Sequence, residues 1–221
     1  MVETTDGLVE GIHFRLNQIS MEQLAFKALA VNISDLSAMG ARPQRAHLNL
    51  ALPKDFPKSA LDTFFSSLNS QLEKHNISLV GGDLSASPGP LFINFHLAGV
   101  MKQEYVQWRK GLEKAGILCV TGTLGSSAAG LWGLENFKEE MAFENLIEAH
   151  FLPPVLTSEA CWLAEQAECQ GMMDLSDGLF SDLHRLTSGK VSVDCDQIPM
   201  TADLLAFSSL KQRDPLQWAL C

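Results

Sequence analysis

The stretch from Ser20 to Pro53, SMEQLAFKALAVNISDLSAMGARPQRAHLNLALP, decides the fold. Ser20 and Gln23 form a capping-box pattern, and Gly40 stands where a helix would stop, so the spacing predicts a helix over 21–39. Leu24, Ala28, Val31 and Leu36 make its apolar stripe, while Asn32 and Asp35 share another face three residues apart. Arg45 to Pro53 then reads as a strand that ends in a proline turn. Working outward, a second helix runs from about Ser59 to Lys74, with Leu61, Phe64, Phe65, Leu68 and Leu72 on one face. A short strand follows, Ile77 to Val80, then Gly81-Gly82-Asp83, a loop rich in Ser, Pro and Gly, and a strand from Leu91 to Met101. Strand, helix, strand, strand is the grammar of helices packed on one sheet, an α/β (α+β) layer.

After Met101 the composition turns polar from Lys102 to Lys114, which marks a domain boundary: 1–102 and 103–221. The second half opens with an expected strand, Gly116 to Thr121, and the segment Gly122 to Gly130. Helices are expected over about 126–136, 157–168 and 178–187, with a final strand alternating through Val191, Val193 and Cys195. This predicts two α/β domains of about a hundred residues each.

Bulk properties remove several classes. The net charge of −10 opposes a nucleic-acid surface, which needs clustered Lys and Arg. No run approaches the ~18 apolar residues that span a bilayer, and Met-Val-Glu-Thr-Thr-Asp has neither part of a signal peptide, so neither nucleic acid nor membrane is an expected partner. Five cysteines without a Cys-x-x-Cys pair suit reduced thiols in a cytoplasmic protein.

Four acidic motifs carry the chemistry: Thr4-Thr5-Asp6, Asn32-Ile33-Ser34-Asp35, Gly81-Gly82-Asp83 and Asp174-Leu175-Ser176-Asp177, with an arginine step at Arg109-Lys110-Gly111. Carboxylates beside hydroxyls and bare backbone are the hard-oxygen donors that Mg²⁺ on nucleotide phosphates takes. Each motif also has a plain structural reading. Asp6-Gly7 is a hairpin-turn signal, Gly-Gly-Asp a common turn, and Asp177 sits where it would cap the helix 178–187. Asp35, on an apolar helix, must be exposed at an edge, paired or metal-bound, because burying a lone carboxylate is too costly. Alternation places Asp174 and Ser176 on one face of an expected strand. If the aspartates converge, two like charges ~4 Å apart repel by about 4 kcal/mol at an effective dielectric near 20, and divalent ions would convert that cost into a phosphate site. Gly122 to Gly130 lacks dinucleotide-fingerprint spacing and reads as helix-entry packing; no P-loop and no Ser-His-Asp or Cys-His nucleophile stands out. His13, three residues after Glu10 on an expected strand, is open to a structural or a functional role.

In order, the blocks TTDGLVEGIHF (4–14), KALAVNISDLSAMGA (27–41), LVGGD (79–83), VTGTLGSSAAGL (120–131) and DLSDGL (174–179) resemble thiamine-monophosphate kinases, of the superfamily that includes aminoimidazole ribonucleotide synthetase and selenophosphate synthetase. The resemblance spans essentially the whole chain, and the Val-Glu-Gly-Ile-His-Phe element favours the thiamine enzyme over its superfamily relatives. It implies a two-domain synthetase-like fold: an N-terminal mixed sheet with helices on one face, serving ATP, metal and dimerisation, and an incomplete C-terminal α/β domain. It implies several Mg²⁺ ions on Thr4, Thr5, Asp6, Asp35, Asp83 and Asp174, with Asp177 on a further ion. ATP would meet Gly82, Asp83, Arg109 and Ser176, thiamine monophosphate would meet His13, and the protein would be a homodimer. The implied reaction makes thiamine diphosphate by in-line phosphoryl transfer, with no general base because the acceptor phosphate ionises near pH 6.

The family's upstream Gly-Asp-Asp element and its downstream Gly-Gly-Glu-Asp-Tyr-Glu-like stretch have no counterpart here, so the chain is expected to be truncated at both ends. The expected consequence is weak nucleotide binding and poor turnover. Two alternatives follow: an impaired homologue that keeps nucleotide binding or dimerisation, and a superfamily member that makes an acyl or selenium phosphate.

Overall fold

The computed structural model describes residues 1–108, 115–137 and 143–220. The first predicted helix forms as α1, Met21–Ala38, and its start is the capping box: Gln23 N donates to Ser20 Oγ at 3.2 Å, and Ser20 N donates to the Gln23 side chain at 3.0 Å. Four strands accompany it, β1 (Val2–Val9), β2 (Arg42–Pro53), β3 (Ser78–Ser87) and β4 (Phe92–Val100), with α2 (Lys58–Lys74) between β2 and β3. Their order in the sheet is β1-β4-β2-β3. β2 and β3 run parallel, as a crossover through α2 requires, and the other pairs are antiparallel, so the sheet is mixed.

Alternation divides the sheet into two unlike faces. Ile93, Phe95 and Leu97 of β4, each at most 1% exposed, meet the apolar stripe of α1, while Phe64, Leu68 and Leu72 bury α2. The opposite face carries Thr5, Asn94, His96, His47 and Asn49; the His47 and His96 rings lie 5.7 Å apart across β2 and β4.

Two local expectations fail for one reason: a strand runs where a turn signal stood. Asp6-Gly7 makes no hairpin, because β1 continues to Val9 in register with β4. Gly81-Gly82-Asp83 lies inside β3, not in a turn. A Cβ on Gly82 would stand 2.0 Å from the Leu48 carbonyl oxygen, so the glycine is there for close approach of β3 to β2. Residues 10–14, expected as strand, instead form a tight loop closed by a Glu10–Phe14 bridge.

Contacts group the chain into two units, one of Met1–Gln107 with Pro154–Cys169, the other of Trp108–Pro153 with Gln170–Cys221. Helix α5, Thr157–Ala164, belongs to the first, where the Thr157 and Ser37 hydroxyls lie 3.0 Å apart. The second unit contains α3 (Ser126–Asn136), α4 (Glu144–Phe151), α6 (Leu179–Thr187), α7 (Ala202–Lys211) and the short α8 (Leu216–Ala219). Ala129, Leu146, Leu204, Phe207 and Trp218 form its core. Among its described residues there is no strand: the segments expected over 116–121, 174–176 and 191–195 find no ladder partner. β-propensity alone does not make a strand without a neighbour to pair with.

Candidate active site

β1 and α1 meet through polar side chains. Thr4 and Asp6 share the helix-facing side of β1, and the Thr4 hydroxyl donates to Asp35 Oδ2 of α1 at 2.6 Å. Asp35 is half-buried and paired, so it is neither a free helix-edge carboxylate nor a lone buried one. Burial pushes the Asp6 carboxyl above its ordinary value, although the residue as a whole stays exposed. The Gly7 N–H, 2.9 Å away, opposes that rise, the Asp35 charge adds to it, and His13 opposes it weakly. Thr4, Asp6, Asp35 and His13 therefore form one neighbourhood in the first unit.

His13 is held from the loop after β1. Val9 N donates to its Nδ1 at 3.0 Å, which in the neutral ring leaves the proton on Nε2. Three residues before Asp35 on α1, Asn32 is fully buried; its Nδ2 donates to Ala28 O at 3.0 Å and its Oδ1 has no hydrogen-bond partner. Thr5 points to the other face, where its hydroxyl donates to Phe95 O at 2.9 Å.

Asp83 stands apart. The register runs Gly7, Asn94, Asn49, Asp83 across the four strands, so Asp83 lies on the far edge strand and on the face opposite Asp6. Three inter-strand steps separate them, about 14 Å. Its carboxylate accepts from the Ser85 hydroxyl at 2.5 Å.

Asp174, Ser176 and Asp177 lie in the second unit, on the irregular loop before α6. Asp177 does not cap that helix: the N-cap is Gly178, and no side chain caps it. The loop is instead organised by a residue not singled out from sequence. Asp182 is 0% exposed, and its Oδ2 accepts from Ser176 N at 2.8 Å and from Asp177 N at 3.1 Å. Arg185 Nη1 donates to Asp182 Oδ1 at 2.9 Å and to Asp177 Oδ2 at 2.5 Å. The Asp182–Arg185 spacing of three was the available signal, but on an amphipathic helix it reads as a solvated ion pair. Arg109 lies outside the described residues.

The donors at β1 and α1 suit Mg²⁺, which is held through one or two carboxylates plus substrate phosphates more than through an all-protein cage. Two carboxylates, a hydroxyl and the orphaned Asn32 oxygen are such hard donors. Among the described residues no three His, Cys, Asp or Glu side chains converge as a complete metal cage.

Residues 1–101 match the family model of the AIR synthase related protein, N-terminal domain. The thiamine-monophosphate kinase of Buchnera aphidicola (subsp. Acyrthosiphon pisum) is 36% identical over 223 residues, covering 98% of this chain and 67% of the relative. The chain belongs to the thiamine-monophosphate kinase family. The crystal structure of the Aquifex aeolicus member superposes with a TM-score of 0.91 at 33% identity, over 99% of this chain and 74% of that one. A structure of AaThiL complexed with AMPPCP and TMP superposes with a TM-score of 0.90 at 32% identity, over 99% and 70%. The chain thus spans about two thirds of the length of curated thiamine-monophosphate kinases. No described helix is long and apolar enough to cross a membrane.

Proposed function

We propose that this chain is an ATP-dependent thiamine-monophosphate kinase, transferring a phosphoryl group onto the phosphate of thiamine monophosphate. The observation that carries the reading is the Thr4–Asp35 hydrogen bond beside Asp6, in a chain that matches family members along 98% of its length. The AaThiL complex with AMPPCP and TMP, an overlay over 99% of this chain, supports the pairing of an ATP-like ligand with thiamine monophosphate.

The acceptor is a phosphomonoester oxygen, already ionised near neutral pH, so the site needs no base. Its task is to hold two anions in line and offset their charge. Bound Mg²⁺ would supply the neutralising charge on the phosphates. Asp6 and Asp35 would hold the ion, the Thr4 hydroxyl would keep Asp35 oriented, and His13 would offer Nε2–H to the substrate. Gly82 and Asp83 on the exposed edge of β3, Ser176 on the loop before α6, and Arg109 remain the residues proposed for ATP, and Thr5, Asp83, Asp174 and Asp177 the further metal donors.

A homodimer is part of the reading. Asp83 cannot share an ion with Asp6 or Asp35 of its own chain, whereas a second copy could bring its Asp83 to them. Leu79, Val80 and Leu84 on edge strand β3 are 40%, 49% and 57% exposed, an apolar rim suited to a partner. Use of ATP and the cysteines at 119, 161, 169 and 195, none of them in a disulfide, support the cytoplasm as its place.

The test follows thiamine diphosphate formation from ATP and thiamine monophosphate with Mg²⁺. The chain should turn over, and Asp35→Asn should lose about a hundredfold in kcat/KM. No product from the unaltered chain would sink the kinase reading; full activity in Asp35→Asn would sink the site.

A further inference from the structure

One nitrogen atom serves two carboxylates before α6. Arg185 Nη1 reaches Asp182 Oδ1 at 2.9 Å and Asp177 Oδ2 at 2.5 Å. The two partners are not equivalent. Asp182 is completely buried and also accepts the Ser176 and Asp177 N–H groups, whereas the Asp177 side chain is 57% exposed and that of Arg185 49%. A buried carboxylate stripped of its cation is costly, so the Arg185–Asp182 contact is the permanent one. An exposed ion pair contributes little, so the Arg185–Asp177 contact is exchangeable.

We propose that Arg185 is a resident counter-ion for Asp177, holding that carboxylate on the loop until a divalent cation takes it, and so setting how tightly the cation binds there. The proposal rests on the reading of Asp177 as a metal ligand. Asp182 makes the exchange possible without loss of order. It pins the backbone of Ser176 and Asp177 from below, and it keeps Arg185 in place when Asp177 leaves. The Asp177 carboxylate is therefore held by a cation in the bare loop, and an arriving ion needs only to win one exposed carboxylate. Arg185 touches neither substrate nor metal in this scheme; it is a positioning residue that acts through Asp177.

Mn²⁺ alone, titrated into the full chain and followed by the EPR signal of the free ion, tests this without reference to turnover. Asp177→Asn should weaken binding. Arg185→Gln should tighten it by about two- to fivefold, the fold-change expected from removing an exposed ion-pair rival. Arg185→Lys should also tighten it, because a compact ammonium stays with buried Asp182 and gives up Asp177; it keeps a charge beside Asp182 if the glutamine variant unfolds. In the Arg185→Gln, Asp177→Asn double variant the gain should vanish. Failure has two separable forms. If Asp177→Asn binds Mn²⁺ as the unaltered chain does, Asp177 is no ligand and the proposal falls with that reading. If Asp177→Asn weakens binding but neither folded Arg185 variant tightens it, or the double variant keeps the gain, the competition is overturned and Asp177 stands as a ligand.

Discussion

Lys27, nearly fully buried in α1, shows how much a single residue can say that its neighbours in sequence cannot. Burial lowers its ammonium from 10.5 to about 8. Below pH 8 both folded and unfolded chains hold the proton, and folding must bury a charge. Between pH 8 and 10.5 the unfolded chain binds more protons, so stability rises with pH, and above that window the penalty is gone. At 1.36 kcal/mol per pH unit the fall from 10.5 to about 8 corresponds to a ceiling of about 3 kcal/mol. Lys27→Met should therefore be more stable than the parent at pH 7 by on the order of 2 kcal/mol, with the gap closing toward pH 10.5. Urea denaturation across that range checks it, and a gap that does not change with pH would refute it. The candidate site divides along the same line. Asp6 and Asp35 were legible because their chemistry is local: a carboxylate flanked by Thr, or set on an apolar helix. Their meeting through Thr4 joins residues 31 apart and depends on how α1 packs on β1. Asp182 was illegible because its burial comes from a loop that folds back over it.

At the scale of elements, the sequence was readable wherever an element carries its own stop and start. α1 is bounded by its capping box and Gly40, and α2 by its apolar stripe. It misled where glycine serves a neighbour instead of a turn. Gly82 was read as punctuation, yet its missing Cβ lets β3 lie against the Leu48 carbonyl. Gly130 plays the same part between helices, since a Cβ there would stand 2.0 Å from the Leu146 carbonyl oxygen of α4. Backbone cannot swing aside as a side chain does, so Gly82→Ala should force β3 away from β2. A loss of about 2–4 kcal/mol is expected, the range of severe single-residue effects. Thermal melts measure the loss, and hydrogen exchange localised to β2 and β3 shows where it falls. An unchanged melting temperature would mean that the close approach is not needed. The strands expected in the second unit illustrate the converse: Ile117 is 93% exposed because alternation without a partner strand has nothing to pack against.

At the scale of the whole molecule, the position of Asp83 makes a sharper demand than any mass measurement. Asp35 reaches Thr4 of edge strand β1, and Asp83 lies on the opposite edge and the opposite face. A site that uses both must draw them from two copies. Two variants, each inactive alone, can then repair one another. In a mixed dimer of Asp35→Asn and Asp83→Asn chains, one site receives both substitutions and the other neither. An equal mixture, fully exchanged, holds half mixed dimers, each with one intact site of two, so activity should recover to about a quarter of the parent's. Native mass spectrometry would confirm that mixed dimers had formed. A mixture that stays as inactive as its components, with mixed dimers present, would place both carboxylates in the service of a single chain. Substituting the apolar rim, for instance Leu84→Asp, should abolish the recovery together with the proposed dimer, because exchange between copies is what the repair requires.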